Sequence, residues 1–206
     1  MAALEARPGE RILDLCGGTG GLSLEAARAG ARVVCCDFSH PMLGRALAKF
    51  GEPAGGRDGS RPVPLLADAL RLPFADGSFD AVVIGFGIRN LRTIEEGLGE
   101  ILRVLRPGGR LGVLEFSRPS RGPLAAAYSL YLNGLLPRIG DAVSGREGPY
   151  RYLARTIGEF PPAEELAGIM RRAGCADVSW RALTGGIVAV HLGRRPAAGA
   201  PALSRG

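Results

Sequence analysis

Between Asp14 and Gly20 the chain reads Asp-Leu-Cys-Gly-Gly-Thr-Gly, a carboxylate followed by residues with little or no side chain. Missing side chains let the main chain approach a ligand closely. The apolar residues 11–16 before the glycines, and Leu22 and Ala26 at helical spacing after them, make this a turn from a strand into a helix. A glycine turn in that place suits a nucleotide-like ligand. The dinucleotide pattern G-x-G-x-x-G fits poorly, because counting from Gly18 and Gly20 puts Ser23 at the third glycine position. No G-x-x-x-x-G-K-[ST] run occurs either. Asp37 stands just past the apolar Val33–Cys36 and can accept hydrogen bonds from both hydroxyls of a ribose; the plainer alternative is a helix cap before Ser39 and Pro41. His191 has the ring whose ordinary pKa, near 6.5, suits a general base, but it lies in the last apolar run, where a hydrogen-bonded core histidine is the blander reading.

The elements that must position these residues alternate. Strands are expected at 11–16, 33–36, 63–66, 81–84 and 110–116, with helices after the first, second and fourth. Thr93 with Glu96 forms a capping box ahead of the apolar face Ile94, Leu98, Ile101, Leu102 and Leu105, and Arg106-Pro107-Gly108-Gly109 stops that helix. Residues 51–62 read as a mobile loop, and 117–160, broken repeatedly by Pro and Gly, as an inserted cover over the site. Pro162 opens another helix, and strands near 178–183 and 187–192 close the domain. The expectation is one α/β domain over residues 1–195: a doubly wound, mostly parallel, Rossmann-like sheet with a C-terminal antiparallel strand pair, then a disordered tail over 196–206. Ligands of such sheets bind beyond the carboxyl ends of the strands, where Gly17 to Gly21, Asp37, Asp68 and Gly85 all fall.

Composition narrows the class. The chain has 206 residues, a formal charge of +6 and a single lysine, Lys49. The arginines are scattered, with no basic tract interleaved with aromatics, so no nucleic acid is expected as partner. No apolar run reaches the roughly 18 residues of a membrane span, and no leader is visible. Cys16, Cys35, Cys36 and Cys175 lack paired spacing and read as buried thiols of a cytoplasmic protein. Nothing identifies a metal.

The stretch Asp14–Gly20 resembles the first motif of class I methyltransferases, D-x-x-x-G-x-G. Longer segments sharpen the likeness: Leu72-Pro73-Phe74, Gly85-Phe86-Gly87-Ile88-Arg89-Asn90-Leu91, Leu114-Glu115-Phe116-Ser117-Arg118-Pro119, Tyr150-Arg151-Tyr152-Leu153 and Leu183 to His191. Together they are similar to the ubiquinone/menaquinone biosynthesis C-methyltransferase family, from about residue 8 to 195. The resemblance implies S-adenosyl-L-methionine as cofactor, with Asp14, Gly17, Gly18, Thr19, Gly20, Asp37, Asp68, Ala69 and Gly85 around it and Asp68-Ala69 at the adenine. It implies methylation of a ring carbon of a polyprenylated quinol, either demethylmenaquinol or the methoxybenzoquinol precursor of ubiquinol. Arg89 and Asn90 are then the catalytic candidates, Arg89 stabilising a phenolate or organising a water and Asn90 holding the hydroxyl or that water. A charged Arg89 is a poor base itself, and a salt bridge to Glu95 or Glu115 is its alternative role. Tyr150, Tyr152 and Phe86 could line an apolar ring pocket.

A lipid quinol also brings in the inner face of a membrane, on which the apolar residues 124–136, flanked by Arg121 and Arg138, could rest. A homodimer or a quinone-biosynthesis complex is compatible with the resemblance. Family members carry a longer segment ahead of the first strand, so either the native start lies upstream or the cover is incomplete. Two other readings stay open: a small-molecule O- or N-methyltransferase, and an inactive cofactor-binding scaffold subunit.

Overall fold

The computed structural model describes residues 4–51, 61–119, 128, 130, 149–197 and 199. Most of the expected loop at 51–62, most of the expected cover, including nearly all of 124–136, and most of the tail lie outside them. Seven strands form one sheet: β1 (Arg11–Leu15), β2 (Arg32–Asp37), β3 (Val63–Leu66), β4 (Phe79–Gly85), β5 (Leu105–Phe116), β6 (Ala176–Leu183) and β7 (Val188–Arg194). Their order is β3-β2-β1-β4-β5-β7-β6. All pairs from β3 to β5 are parallel, and β7 pairs antiparallel with both β5 and β6. The doubly wound sheet with its antiparallel C-terminal pair is therefore the architecture observed.

The winding follows from alternation along the central strands. Leu13 and Leu15 of β1 and Val82 and Ile84 of β4 pack on one face with Leu98, Ile101, Leu166 and Met170. Those last four belong to α3 (Ile94–Val104) and to the last helix, Ala163–Arg172. Ile12, Ala81 and Val83, one residue out of phase, pack on the other face with Ala26 and Ala27 of α1 (Gly21–Arg28). Cys35 meets Leu43, Ala46 and Phe50 of α2 (His40–Gly51). Successive strand residues point to opposite faces, so strands apolar at both parities must be covered twice. A fourth helix, α4 (Pro149–Glu159), and the last, α5 (Ala163–Arg172), complete the described set.

Two local expectations are corrected. Thr93 precedes α3 in an extended conformation and makes no side-chain cap bond, so the capping box with Glu96 does not form. The charges of Glu95 and Glu96 in the first turn favour the helix start instead, by opposing its dipole. The last parallel strand also begins earlier than Arg110: Leu105 already pairs with Phe79, and the chain bulges through Arg106–Gly109 before pairing resumes at Ala81 and Arg110. Backbone bonds between Gly108 and Gly109 and Arg195 tie that bulge to the chain after β7, a long-range constraint invisible to local pattern. Among the described residues no helix is long and apolar enough to cross a membrane.

Candidate active site

From β1 the chain winds outward through β2 and β3, and then in the other direction through β4 and β5, so the switch lies between β1 and β4. A cleft of about 910 Å³ opens there at the carboxyl ends, lined among others by Gly17, Gly18, Thr19, Asp37, Asp68 and Gly85. Ala69 and Asn90 also line it. Thus every residue expected around a cofactor is on this wall except Asp14 and Gly20, the latter turned toward Phe50 and Ala46.

The loop is built to bring backbone to that wall. A Cβ on Gly17 would lie 2.6 Å from the Cys35 sulfur and 3.1 Å from the Asp14 carboxyl, so only glycine lets the loop settle onto the strands. Gly20 caps α1 in the left-handed conformation, at φ 75°. Asp37 joins two loops: one carboxylate oxygen accepts from Gly18 N at 2.9 Å, the other from Ser39 N at 2.8 Å. It closes the turn between β2 and α2 without capping the helix, and it still faces the cleft, where a carboxylate has lone pairs left for further donors. Asp68 likewise makes a turn, accepting from Leu70 N at 2.9 Å, at the cleft edge. Lys49 donates to Thr19 Oγ1 at 2.9 Å, a contact across the helix layer that spacing alone does not disclose.

Asp14 supports the loop from beneath. It is 1% exposed and accepts from Ser23 Oγ at 2.5 Å, and its Oδ1 has no partner. Burial raises its pKa to about 6, against the lowering effect of the Ser23 bonds. Ser23, the residue that spoils the dinucleotide pattern, is thus the partner of the motif's own acid. Burial also pushes the Cys16 thiol up to about 12, so it stays protonated beside the loop.

The wall beyond β4 separates the two catalytic candidates. Phe86 follows β4 with φ 56°, and a 3-10 turn over Ile88–Asn90 comes next. Asn90 is exposed and lines the cleft, and its Oδ1 accepts from the Tyr152 hydroxyl at 3.0 Å. Arg89 points behind the wall. Its Nη1 donates to Glu115 Oε1 at 2.7 Å and to the Phe86 carbonyl at 2.5 Å, and its Cζ lies 5.2 Å from the centre of the Phe116 ring. The side chains of the pair are 9% and 1% exposed. Desolvation raises the Glu115 pKa and the Arg89 charge opposes that rise. Of the two ion-pair partners considered for Arg89, Glu115 is the one found, and Arg89 does not line the cleft.

His191 is a core histidine. It is 1% exposed on β7, its Nε2 donates to the Ala163 carbonyl at 2.8 Å, and burial lowers its pKa. Since a carbonyl only accepts, Nε2 carries the proton. Phe86 and Tyr152 line the cleft as the ring-pocket reading expected; the Tyr150 side chain lies outside the described residues. Glu115 as an anchor, and Phe38, exposed at the cleft edge after Asp37, were not identified as site residues from sequence. The alternation of β5 marked Glu115 as a polar residue in a buried strand, a signal that could have flagged it.

The cleft fits S-adenosylmethionine: a volume of nucleoside size, a main-chain cradle that side chains would fill, and carboxylates at the second and third strand ends. Comparison with known proteins agrees. The ubiE/COQ5 methyltransferase family model matches residues 1–195. A demethylmenaquinone methyltransferase from Beutenbergia cavernae is 46% identical, across 100% of this chain and 82% of that protein. One from Streptomyces avermitilis is 46% identical over 93% of this chain and 79% of its own length. One from Mycobacterium tuberculosis is 45% identical over 95% and 79%. Among solved structures, a SAM-dependent methyltransferase from Aquifex aeolicus superposes with TM-score 0.66 at 16% identity, covering 94% of this chain and 86% of that one. The [4+2]-cyclase SpnF gives TM-score 0.68 at 21% identity, covering 93% and 77%. At such identities these structures share the fold.

Proposed function

The chain belongs to the ubiE/COQ5 family of S-adenosylmethionine-dependent methyltransferases, and from that premise we propose that it methylates a ring carbon of demethylmenaquinol, yielding menaquinol. The observation that carries the substrate is the near-half identity, over most or all of the chain, with relatives named for that reaction. The geometry supports it: an open cleft holds cofactor-type groups on one side and Asn90 with Phe86 and Tyr152 on the other.

The bound cofactor supplies a methyl group on a positively charged sulfur. The chain's work is to align a ring carbon with that methyl and to make the carbon electron-rich. In this proposal the backbone of Gly17, Gly18, Thr19 and Gly20 takes the amino-acid end, and Asp14 stiffens that loop from below. Asp37 accepts from the ribose hydroxyls, Asp68 and Ala69 border the adenine, and Gly85 keeps the floor open. Asn90 is the catalytic residue: its Oδ1 accepts from the quinol hydroxyl, and its amide N–H can donate to the phenolate left when the hydroxyl proton passes to a water in the open cleft. A phenol titrates near pH 10 in water, so stabilising the phenolate is useful at neutral pH. The ring carbon gains the methyl and gives up its hydrogen as a proton. Arg89 is a positioning residue in this reading, since its guanidinium is taken by Glu115 and the Phe86 carbonyl and holds the turn that carries Asn90.

The test is transfer of labelled methyl from S-adenosylmethionine to demethylmenaquinol, with the methoxybenzoquinol precursor, soluble phenols and amines as competitors. Labelled ring carbon in demethylmenaquinol is expected, and Asn90→Ala should lower kcat on the order of 10²-fold or more. Cofactor binding with no quinol product, or faster turnover of the soluble compounds, overturns the reading.

A further inference from the structure

Tyr152 reaches Asn90 from a separate element. It sits on α4, whose Leu153 and Ile157 pack with Phe116 and Ile187 at the ends of β5 and β7. The Arg155 guanidinium lies 5.6 Å from the centre of the Tyr152 ring. That leaves a ring 48% exposed, carried by an anchored helix, with its hydroxyl on Asn90 Oδ1 at 3.0 Å and both residues on the cleft wall. The left-handed Phe86 stands beside them, its ring centre 4.7 Å from that of Phe116.

A tyrosine side chain is a phenol. A quinol offers the same group, an aromatic ring bearing an O–H that both donates and accepts. The acceptor assigned to the substrate is therefore already engaged by a hydroxyl of the substrate's own chemical class. A water or a charged side chain at that position would carry no such correspondence.

We propose that Tyr152 is an internal stand-in for the quinol: its phenol holds Asn90 Oδ1 until a hydroxyl of the incoming ring replaces it, and its departure toward solvent opens the ring subsite. This rests on the quinol reading of the site. The exchange conserves hydrogen bonds, because Tyr152 passes to water and Asn90 passes to the substrate. A ring without a free hydroxyl breaks the same bond and returns none of its own, leaving the exposed Asn90 acceptor to water. The stand-in keeps Asn90 oriented in the empty enzyme, and the consequence is a quinol affinity lowered by the fraction of molecules in which the latch is closed.

The experiment is equilibrium binding of a short-tailed demethylmenaquinol, kept reduced, to the full chain saturated with S-adenosylhomocysteine so that no turnover occurs. Tyr152→Phe removes the competing hydroxyl and keeps the ring. It should bind the quinol about two- to tenfold more tightly, the equivalent of one neutral hydrogen bond. In an Asn90→Ala background the same substitution should change nothing, because the coupling runs through that pair. S-Adenosylhomocysteine affinity, measured for each variant, reports whether the fold is intact. Weaker quinol binding by Tyr152→Phe would make Tyr152 a direct substrate contact and overturn the stand-in; so would an unchanged affinity, or a change that persists without Asn90. A wild-type chain that binds S-adenosylhomocysteine but no quinol overturns the functional reading and this inference with it, whereas quinol binding indifferent to Tyr152 overturns only the stand-in.

Discussion

A carboxylate 1% exposed is costly to keep charged, and Asp14 is held under the glycine loop with one oxygen unpartnered. Its pKa, raised from 3.8 to about 6, means the folded chain takes up that proton at higher pH than the unfolded chain does. The resulting stabilisation is complete below about pH 4 and is lost as pH rises through about 6. Asp14→Asn lacks this titration. Thermal melts should therefore show the melting temperature of the wild type falling relative to Asp14→Asn between pH 4 and 7; a difference that is flat or rises with pH would refute the assignment. His191 works with the opposite sign. Its lowered pKa stabilises the fold above pH 6.5 and ceases to do so as the ring is protonated on acidification. The same scale explains why two neighbours in sequence diverge in role: Asn90 presents its amide to the cleft, whereas Arg89 is consumed by a buried carboxylate. Breaking such a buried pair leaves an uncompensated charge and typically costs about 3 to 5 kcal/mol, so loss of activity in an Arg89 variant needs a stability measurement beside it.

The glycine loop shows how one element depends on another. Gly20 caps α1 at φ 75°, and a Cβ there would lie 2.5 Å from the ring of Phe50, itself buried on α2. Gly20→Ala therefore suffers both a left-handed backbone and a clash, on the order of 2 to 4 kcal/mol together, and should weaken S-adenosylhomocysteine binding. Gly21→Ala is its control. It lies in the first turn of α1, where an added Cβ meets nothing within 4 Å, so it should be neutral or stabilising by up to about 1 kcal/mol. Denaturant unfolding of the two variants separates a conformational demand from a mere preference for small residues; equal effects would remove the argument. The first helix turns are also where local pattern proved least reliable. The capping box at Thr93 matched its consensus in sequence and yet the hydroxyl makes no cap bond, while Glu95 and Glu96 supply favourable charge in the first turn.

At the scale of the molecule, the cleft exists only in the folded sheet, so a ligand that fills it stabilises the fold by mass action. S-Adenosylhomocysteine at 100 times its Kd adds about 2.7 kcal/mol, which for a domain of this length raises the melting temperature by roughly 5 to 10 °C. Asp37→Ala should blunt that shift, since the carboxylate joins the loop and faces the cleft; an undiminished shift would remove Asp37 from the cofactor site. Much of this architecture was legible in the sequence. Strands apolar at both parities, alternating with amphipathic helices, leave a doubly wound sheet as the way to bury both faces, and strand-end positions then gather the glycines, Asp37, Asp68 and Gly85. These features are local, repeated every few residues, and so survive without coordinates. What only the tertiary structure decided were the long-range pairings: Arg89 with Glu115 across 26 residues, Tyr152 with Asn90 across 62, His191 with the Ala163 carbonyl across 28. A polar side chain spends its hydrogen bonds on whatever the fold brings within about 3 Å, and sequence spacing carries no measure of that distance.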